Sequence, residues 1–444
     1  MKIHTLVIRK LHGHLDFKIR FFRSVNLLEG INGSGKTSVL NVIYWTLTPS
    51  LLNLAQLQFD TIEVRYKEKG EPIRKTVVKR LEGSIEILLS QFSEKLVVPV
   101  FEYSRESRIL DRQEQQPSMA EMYERFKVDN KEHPVLKTLE SLVGPFYLPM
   151  DRRWQAASSL LMPLDSRRLR LRSERRPLLS SGPITEVLYL AERYYRERQF
   201  EISQLSEELR ESLVLSTFEP GVGFFGKARV PWTPVEVQKR QEMIISGLKQ
   251  AGMRVVPEGS VSKFFNELMQ VAELIEKEGY DSDKPSRNFI NWLIREPQVN
   301  QVERVINKIE DYNKKREKVF KKIDLFIDTL NSLLNDSGKK IKFNPSGELV
   351  VDIKGGPEIR ANSLSSGESQ LLILFNFLYF GFETEQEFIM MIDEPELSLH
   401  LNWQHQYVDA VVEANPRAQF IFATHSPEIA QAHKDKQIEL SQKR

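Results

Sequence analysis

No cysteine occurs anywhere in the 444 residues, which excludes disulfide bonds, a thiol nucleophile and every cysteine-ligated zinc or iron–sulfur site. Net charge is nearly absent as well. With 63 Lys plus Arg against 61 Asp plus Glu, the formal balance is +2, so no whole-chain attraction to nucleic acid or acidic lipid exists and any polyanion site must be local. Long apolar runs are missing too. The most apolar segment, Leu371 to Phe380 (LLILFNFLYF), has about half of the roughly 20 residues that a bilayer span needs. The opening MKIHTLVIRKLHGH alternates apolar and polar side chains, where an export signal would show a basic head and an apolar stretch. The expectation is a cytoplasmic chain with no membrane partner. What remains is an ordinary globular composition, 41% hydrophobic and 28% charged. Single cores stop growing near roughly 250 to 300 residues, so two or three lobes are expected.

Periodicity divides the chain. Residues 3 to 28 read as a hairpin and then a buried strand: LDFKIRFF alternates, and VNLL (Val25 to Leu28) runs into a glycine-rich turn. A helix should follow from Ser38, and further strand-like runs extend to about Tyr103. From about Thr185 apolar residues recur at three- and four-residue spacing among dense charges, which predicts helices. One should open at Thr233-Pro234-Val235-Glu236, with a Thr cap, Pro at the first helical position and Glu closing a capping box. Another should run from about Gln301 to Asn335. The bundle reading and an extended coiled-coil arm both fit this region. After a hairpin around Pro345-Ser346-Gly347, helix and buried strand alternate, with FIMMI (Phe388 to Ile392) and QFIFAT (Gln419 to Thr424) apolar enough for central parallel strands. The fold expected is α/β, with an N-terminal lobe over 1–180, an inserted helical domain over 181–336 and a C-terminal lobe over 337–444.

Four segments carry chemistry. Gly30-Ile31-Asn32-Gly33-Ser34-Gly35-Lys36-Thr37 matches G-x-x-x-x-G-K-[ST] between a buried strand and a helix. Its backbone N–H groups can wrap phosphates, Lys36 can reach the terminal phosphates, and the Thr37 hydroxyl can ligate Mg²⁺. A glycine-rich turn with a solvated lysine is the bland alternative. Asp393 and Glu394 follow an apolar strand and so emerge where ligands bind in open α/β sheets. That places Asp393 to hold Mg²⁺ and Glu394 to activate water, although acidic pairs after strands are often only solvated ends. His425, after a second apolar strand, should share that edge as a γ-phosphate sensor; a lone histidine there is more often structural. Leu364-Ser365-Ser366-Gly367-Glu368-Ser369-Gln370 opens the apolar helix, either as an anion site or as a plain N-cap.

In their order, GINGSGKT, LSSGESQ, FIMMIDEPELSLH and FIFATHS resemble the Walker A, signature, Walker B with D-loop, and H-loop motifs of ABC-type ATPases. The resemblance covers about the first and last hundred residues. It implies ATP and Mg²⁺ as cofactors, with Gly30, Asn32, Gly33, Ser34, Gly35, Lys36 and Thr37 holding nucleotide and Thr37 and Asp393 holding metal. Glu394 would be the general base and His425 the sensor. It further implies a homo-oligomer, at least a dimer, in which Ser365, Ser366, Gly367 and Glu368 complete a partner's site.

The stretch between Gly35 and Leu364 is far longer than in transporter subunits. The opening IRKLHGHLDFKIRF, the form LSSGE and DEPELSLH look like the SMC, RecF and OLD branch. Zinc-hook members need a cysteine pair that is absent here, and the short stretch after His425 leaves no TOPRIM nuclease domain expected in this chain. The narrower resemblance is to stand-alone ATPase subunits of antiviral systems, the PARIS type first and the Septu type second. Their nuclease is a separate polypeptide, of TOPRIM or HNH type. A RecF-type clamp on DNA is the other implied use. Gln155 is the Q-loop candidate. Arg152, Arg153, Arg167, Arg168, Arg170, Arg172, Arg175 and Arg176 form a basic stretch that suits DNA, an acidic phage trigger protein or plain solvent.

Overall fold

Alternation in the first twenty residues produces the hairpin it predicts, β1 (Lys2–Leu11) against β2 (Leu15–Arg20), with Leu15, Phe17 and Ile19 buried and Asp16, Lys18 and Arg20 exposed. The computed structural model describes residues 1–101, 118–148, 183–218, 231–252, 258–278, 286–354, 356–382, 387–431 and 433–440. The chain divides into two units, Met1–Ala191 with Phe326–Arg444, and Glu192–Leu325. Gln155 and the arginine stretch of 152–176 lie outside the described residues.

In the first unit, β3 (Val25–Glu29) leads through the glycine-rich turn to α1 (Lys36–Leu47) and α2 (Leu51–Gln56). Then come β4 (Thr61–Lys67), β5 (Ile73–Leu81), β6 (Ser84–Leu89) and β7 (Leu96–Pro99), followed by α3 (Met119–Asp129), α4 (Pro134–Ser141) and β8 (Phe146–Leu148). The strands β2-β1-β4-β5-β6-β7 make an antiparallel sheet in that order.

The second unit holds α5 (Pro183–Phe218) from Glu192 onward, α6 (Pro234–Gln250), α7 (Glu258–Glu278) and α8 (Arg287–Leu334) as far as Leu325. Its core gathers Trp232, Val237, Phe265, Leu268, Trp292 and Ile309. Thr233 caps α6 as expected: Glu236 N donates to Thr233 Oγ1, and Thr233 N donates to the Glu236 carboxylate at 2.9 Å. The sequence places the start of α8 near Gln301, whereas the helix begins at Arg287 and runs through Pro297. Proline removes one helical hydrogen bond, but the buried Phe289 and Trp292 upstream supply a packed face that carries the helix across it.

The remainder of the first unit comprises β9 (Lys339–Phe343), β10 (Leu349–Ile353), β11 (Ile359–Arg360), α9 (Ser366–Phe380), β12 (Ile389–Asp393), α10 (Leu401–Ala414), β13 (Gln419–Ala423), α11 (Pro427–Gln431) and β14 (Gln437–Glu439). Strands β14-β3-β13-β12-β8 form a wholly parallel sheet. Every residue of β12 and β13 is buried, the pattern of strands covered on both faces. Ile389, Met391, Ile421 and Ala423 enter the core shared with α1 and the antiparallel sheet. Met390, Ile392, Phe420 and Phe422 enter the core shared with α9 and α10. Five parallel strands thus present their carboxyl ends along one edge. No described helix is long and apolar enough to cross a membrane.

Candidate functional site

Three of those carboxyl ends carry the predicted residues. The turn after β3 begins α1 at Lys36, two residues before the expected Ser38, with Gly35 as its N-cap in left-handed backbone (φ 94°). A side chain at Gly35 would also meet the Phe17 ring, whose nearest carbon lies 2.9 Å from the Cβ position. Gly33 has φ 81° as well, so the turn needs glycine at both positions for backbone reasons. Asn32, Gly33 and Thr37 are exposed at the tip, while Ser34 and Lys36 are buried.

Lys36 folds back over the turn. Its Nζ donates to the Gly30 carbonyl at 2.9 Å and lies 3.5 Å from His425 Nδ1. Burial holds its pKa below the ordinary lysine value, opposed by the negative charges of Glu394, Asp393 and Glu396. The ammonium is therefore partly desolvated within the field of three carboxylates.

Asp393 closes β12 at 2% exposure. Burial pushes its pKa up; the Thr37 hydroxyl pulls it down, Glu394 raises it, and Tyr147 and Lys36 lower it. Tyr147 of β8 donates to Asp393 Oδ2 at 3.4 Å, while Asp393 Oδ1 is buried without a hydrogen-bond partner. A buried carboxylate oxygen with unused acceptor capacity, next to a threonine hydroxyl, fits a hard cation. Among the described residues no cluster of three or more His, Asp or Glu could hold a metal alone. Thr37 and Asp393 would hold such an ion, which would supply positive charge against the phosphates.

A stability prediction follows from the sign of the Asp393 shift. A carboxyl whose folded pKa is raised binds its proton more tightly when folded, so its contribution to stability falls as pH climbs from the unfolded value through the raised one. Asp393→Asn should therefore melt at the same or a higher temperature than the parent without ligand near neutral pH, and lose the added stabilisation from Mg²⁺ with ATP. Thermal melts with and without Mg²⁺–ATP check both halves.

Glu394 adopts left-handed backbone (φ 46°, ψ 60°), which residues other than glycine rarely take, and its N–H donates to Ala423 O at 2.7 Å. Residues in such conformations cluster at functional sites, held there by their surroundings. Just beyond it stands Glu396, which the sequence reading passed over. Its Oε2 accepts from the Thr424 hydroxyl at 2.9 Å and its Oε1 from the His425 N–H at 2.6 Å. Nothing local in DEPELSLH reveals this, because the partners are 28 and 29 residues away. Tyr147 was missed for the same reason.

The signature turn forms a second group. Ser365 caps α9, its N–H donating to Glu368 Oε2 at 2.9 Å and its hydroxyl accepting from Glu368 N, so the plain N-cap reading and the motif coexist. Glu368, 4% exposed, accepts Lys339 Nζ at 2.9 and 2.8 Å on its two oxygens. Burial raises its pKa, yet Lys339 and the cap donors hold it below the ordinary glutamate value. Glu368 thus anchors the turn, while Ser365 and Ser366 are exposed. The structure brings together Lys36, Thr37, Asp393, Glu394 and His425; the described hydrogen bonds of Ser365 and Glu368 run instead to α9 and Lys339.

Parts of the chain are similar to known proteins. Residues 234–430 match the AAA ATPase domain family, a span that includes the signature turn, Asp393, Glu394 and His425. A curated relative, the Retron Vc95 probable ATPase of Vibrio cholerae serotype O1 biovar El Tor, is 25% identical over 211 residues, 43% of this chain and 41% of its own length. The chain thus spans about two fifths of the length of the relative it matches. Among solved structures, the Smc head domain with an extended coiled coil bound to the C-terminal domain of ScpA, derived from Pyrococcus furiosus, aligns over 97% of this chain and 91% of its own at 14% identity and a TM-score of 0.39. The Smc head domain with a coiled coil and joint derived from Pyrococcus yayanosii aligns over 97% and 93% at 14% identity and a TM-score of 0.34. A P-loop and the acidic and histidine-bearing ends of two strands thus meet at one parallel-sheet edge, and the part of that site contributed by β12 and β13 lies within the stretch similar to the AAA ATPase domain family.

Proposed function

We propose that two or more copies of this chain enclose ATP and Mg²⁺ between the P-loop of one and the Ser365–Gly367 turn of another, and that the assembly is the sensor and scaffold of a cytoplasmic anti-phage system holding a separate nuclease. Lys36 and Thr37 hold phosphate and metal, with Asp393 supporting the metal. Glu394 acts as general base on the attacking water, His425 contacts the γ-phosphate, and Ser365 with Gly367 acts in trans. The helical insert of 181–336 separates the two lobes in sequence and is free to carry partner contacts.

The observation that carries the intersubunit reading is the separation of the two groups of site residues. Lys36, Thr37, Asp393, Glu394 and His425 converge within one chain, whereas the exposed hydroxyls of Ser365 and Ser366 crown a helix N-terminus whose internal donors already serve its own cap. A helix start of this kind attracts phosphate from a second molecule. The defence role draws support from the retron ATPase relative, through the matched region only.

The test is to express Glu394→Gln from its native locus, trap the ATP-bound form, and identify stoichiometric companions by mass spectrometry together with the particle mass. A multimer that forms only with ATP, carrying a nuclease encoded next door, is expected. Recovery of DNA with recombination proteins and no nuclease would replace the defence role with a RecF-type clamp. A monomer under saturating ATP would remove the intersubunit site.

A further inference from the structure

We infer that Glu396 is a positioning residue for the hydrolytic step, holding His425 against Lys36 by clasping the end of β13 from the turn after β12. The inference rests on the ATPase reading of the site and assigns a part within it to a carboxylate that the motif description leaves without a role.

The geometry is a closed chain of contacts. After Asp393 the backbone turns through the left-handed Glu394 into the single 3₁₀ turn Pro395–Ser398, which brings the Glu396 carboxylate across to the neighbouring strand end. There its two oxygens divide their work: Oε1 takes the main-chain N–H of His425 at 2.6 Å, and Oε2 takes the hydroxyl of Thr424 at 2.9 Å. The Thr424 hydroxyl in turn accepts the Ser426 N–H at 2.9 Å, so the three residues that leave β13 are all fixed, directly or at one remove, by a single carboxylate. On the far side of Ser426, its hydroxyl donates to Gln404 Oε1 at 2.7 Å, and Gln404 Nε2 returns to the Leu399 carbonyl at 3.0 Å. The loop bearing His425 is therefore tied at both ends to the segment that follows Glu394.

His425 itself is exposed, and its ring lies 3.5 Å from Lys36 Nζ. An exposed imidazole on an unconstrained loop would sample many orientations, each costing entropy to recover in the transition state. Fixing its main-chain N–H restricts where the ring can point without touching the ring. Because Glu396 binds the backbone and not the imidazole, it makes no claim on the ring, whose Nδ1 already faces Lys36 Nζ and whose Nε2 is the nitrogen left to phosphate. A charged acceptor also makes the stronger hydrogen bond, which matters for an N–H at the rim of a solvated cleft.

Glutamine can keep half of this arrangement. Its carbonyl oxygen can accept the His425 N–H, and its amide can donate to the Thr424 hydroxyl, which still has a lone pair. Alanine keeps neither bond.

The experiment compares Glu396→Ala, Glu396→Gln, His425→Ala and the double variant Glu396→Ala/His425→Ala in steady-state ATP hydrolysis, nucleotide titration and thermal melting of the full chain. Glu396→Ala should lower kcat about tenfold to a hundredfold, the scale expected for misplacing a reacting group by about 1 Å, with ATP affinity within about threefold of the parent. Glu396→Gln should recover most of the turnover. The double variant should turn over no more slowly than His425→Ala alone, since a residue that acts through another adds nothing once the other is gone. Multiplicative losses in the double variant, or equal losses in the Ala and Gln variants, would overturn the assignment. So would loss of ATP affinity in step with loss of melting temperature, which marks a purely structural tie. If His425→Ala turns over normally, the sensor role of His425 fails and this inference falls with it. If His425→Ala is slow and Glu396→Ala is not, the ATPase site stands and only the positioning role is lost.

Discussion

Glutamine in place of Glu394 should leave ATP bound and slow its hydrolysis at least about a hundredfold, because a positioned acid–base group contributes typically 10² to 10⁴ in rate. The substitution is unusually clean here. Glu394 sits in left-handed backbone, pinned by its N–H to Ala423 O, and glutamine has the same carbon skeleton and the same backbone cost. Fold and strain are conserved while the ability to take a proton is lost. Single-turnover hydrolysis alongside a nucleotide titration separates the two quantities, and near-normal turnover would remove Glu394 from the role of base.

Lys36→Ala should abolish useful ATP binding. Hydrogen bonds to charged groups are worth about 1.5–3 kcal/mol each, and each 1.4 kcal/mol is a factor of ten in affinity. An ammonium reaching two phosphates therefore accounts for at least about a hundredfold. Burial lowers the pKa of that ammonium, which donates to the Gly30 carbonyl at 2.9 Å. Exchanging that carbonyl for phosphate oxygens costs little reorganisation, which is the advantage of preorganised electrostatics. Retained affinity in the alanine variant, read by fluorescence titration, would refute the P-loop assignment.

Residue patterns made some of this legible and hid the rest for identifiable reasons. The hairpin of β1 and β2, the capping box at Thr233 and the buried strands β12 and β13 were readable because each is written in local periodicity or in a four-residue signature. The start of α8 was misplaced because Pro297 is a local stop signal, and the packed face of Phe289 and Trp292 that overrides it is a tertiary fact. Strand β14 has no local signal, because Gln437, Ile438 and the exposed Glu439 become a strand only beside β3. The site shows the same division. Lys36, Thr37, Asp393, Glu394 and His425 are motif residues, while Tyr147 and Glu396 act through partners that the chain brings close only on folding. Glu368 reads as a phosphate neighbour from the motif, yet its carboxylate is committed to Lys339 and to its own helix cap.

The pairing of β3 with β13 sets a schedule for biosynthesis. Asn26 on β3 donates its amide to the Phe420 carbonyl across a separation of 394 residues, and the other neighbour of β3, β14, lies later still. At about 5–20 residues per second, the nascent P-loop strand waits on the order of 20 to 80 seconds before either partner leaves the ribosome. During that interval the antiparallel sheet of β1, β2 and β4 to β7 can assemble from contacts local in sequence, which form fastest. The nucleotide pocket is thus among the last parts of the molecule to come into being, and an arrested or truncated translation product lacking β13 would carry the glycine-rich turn without a working phosphate site.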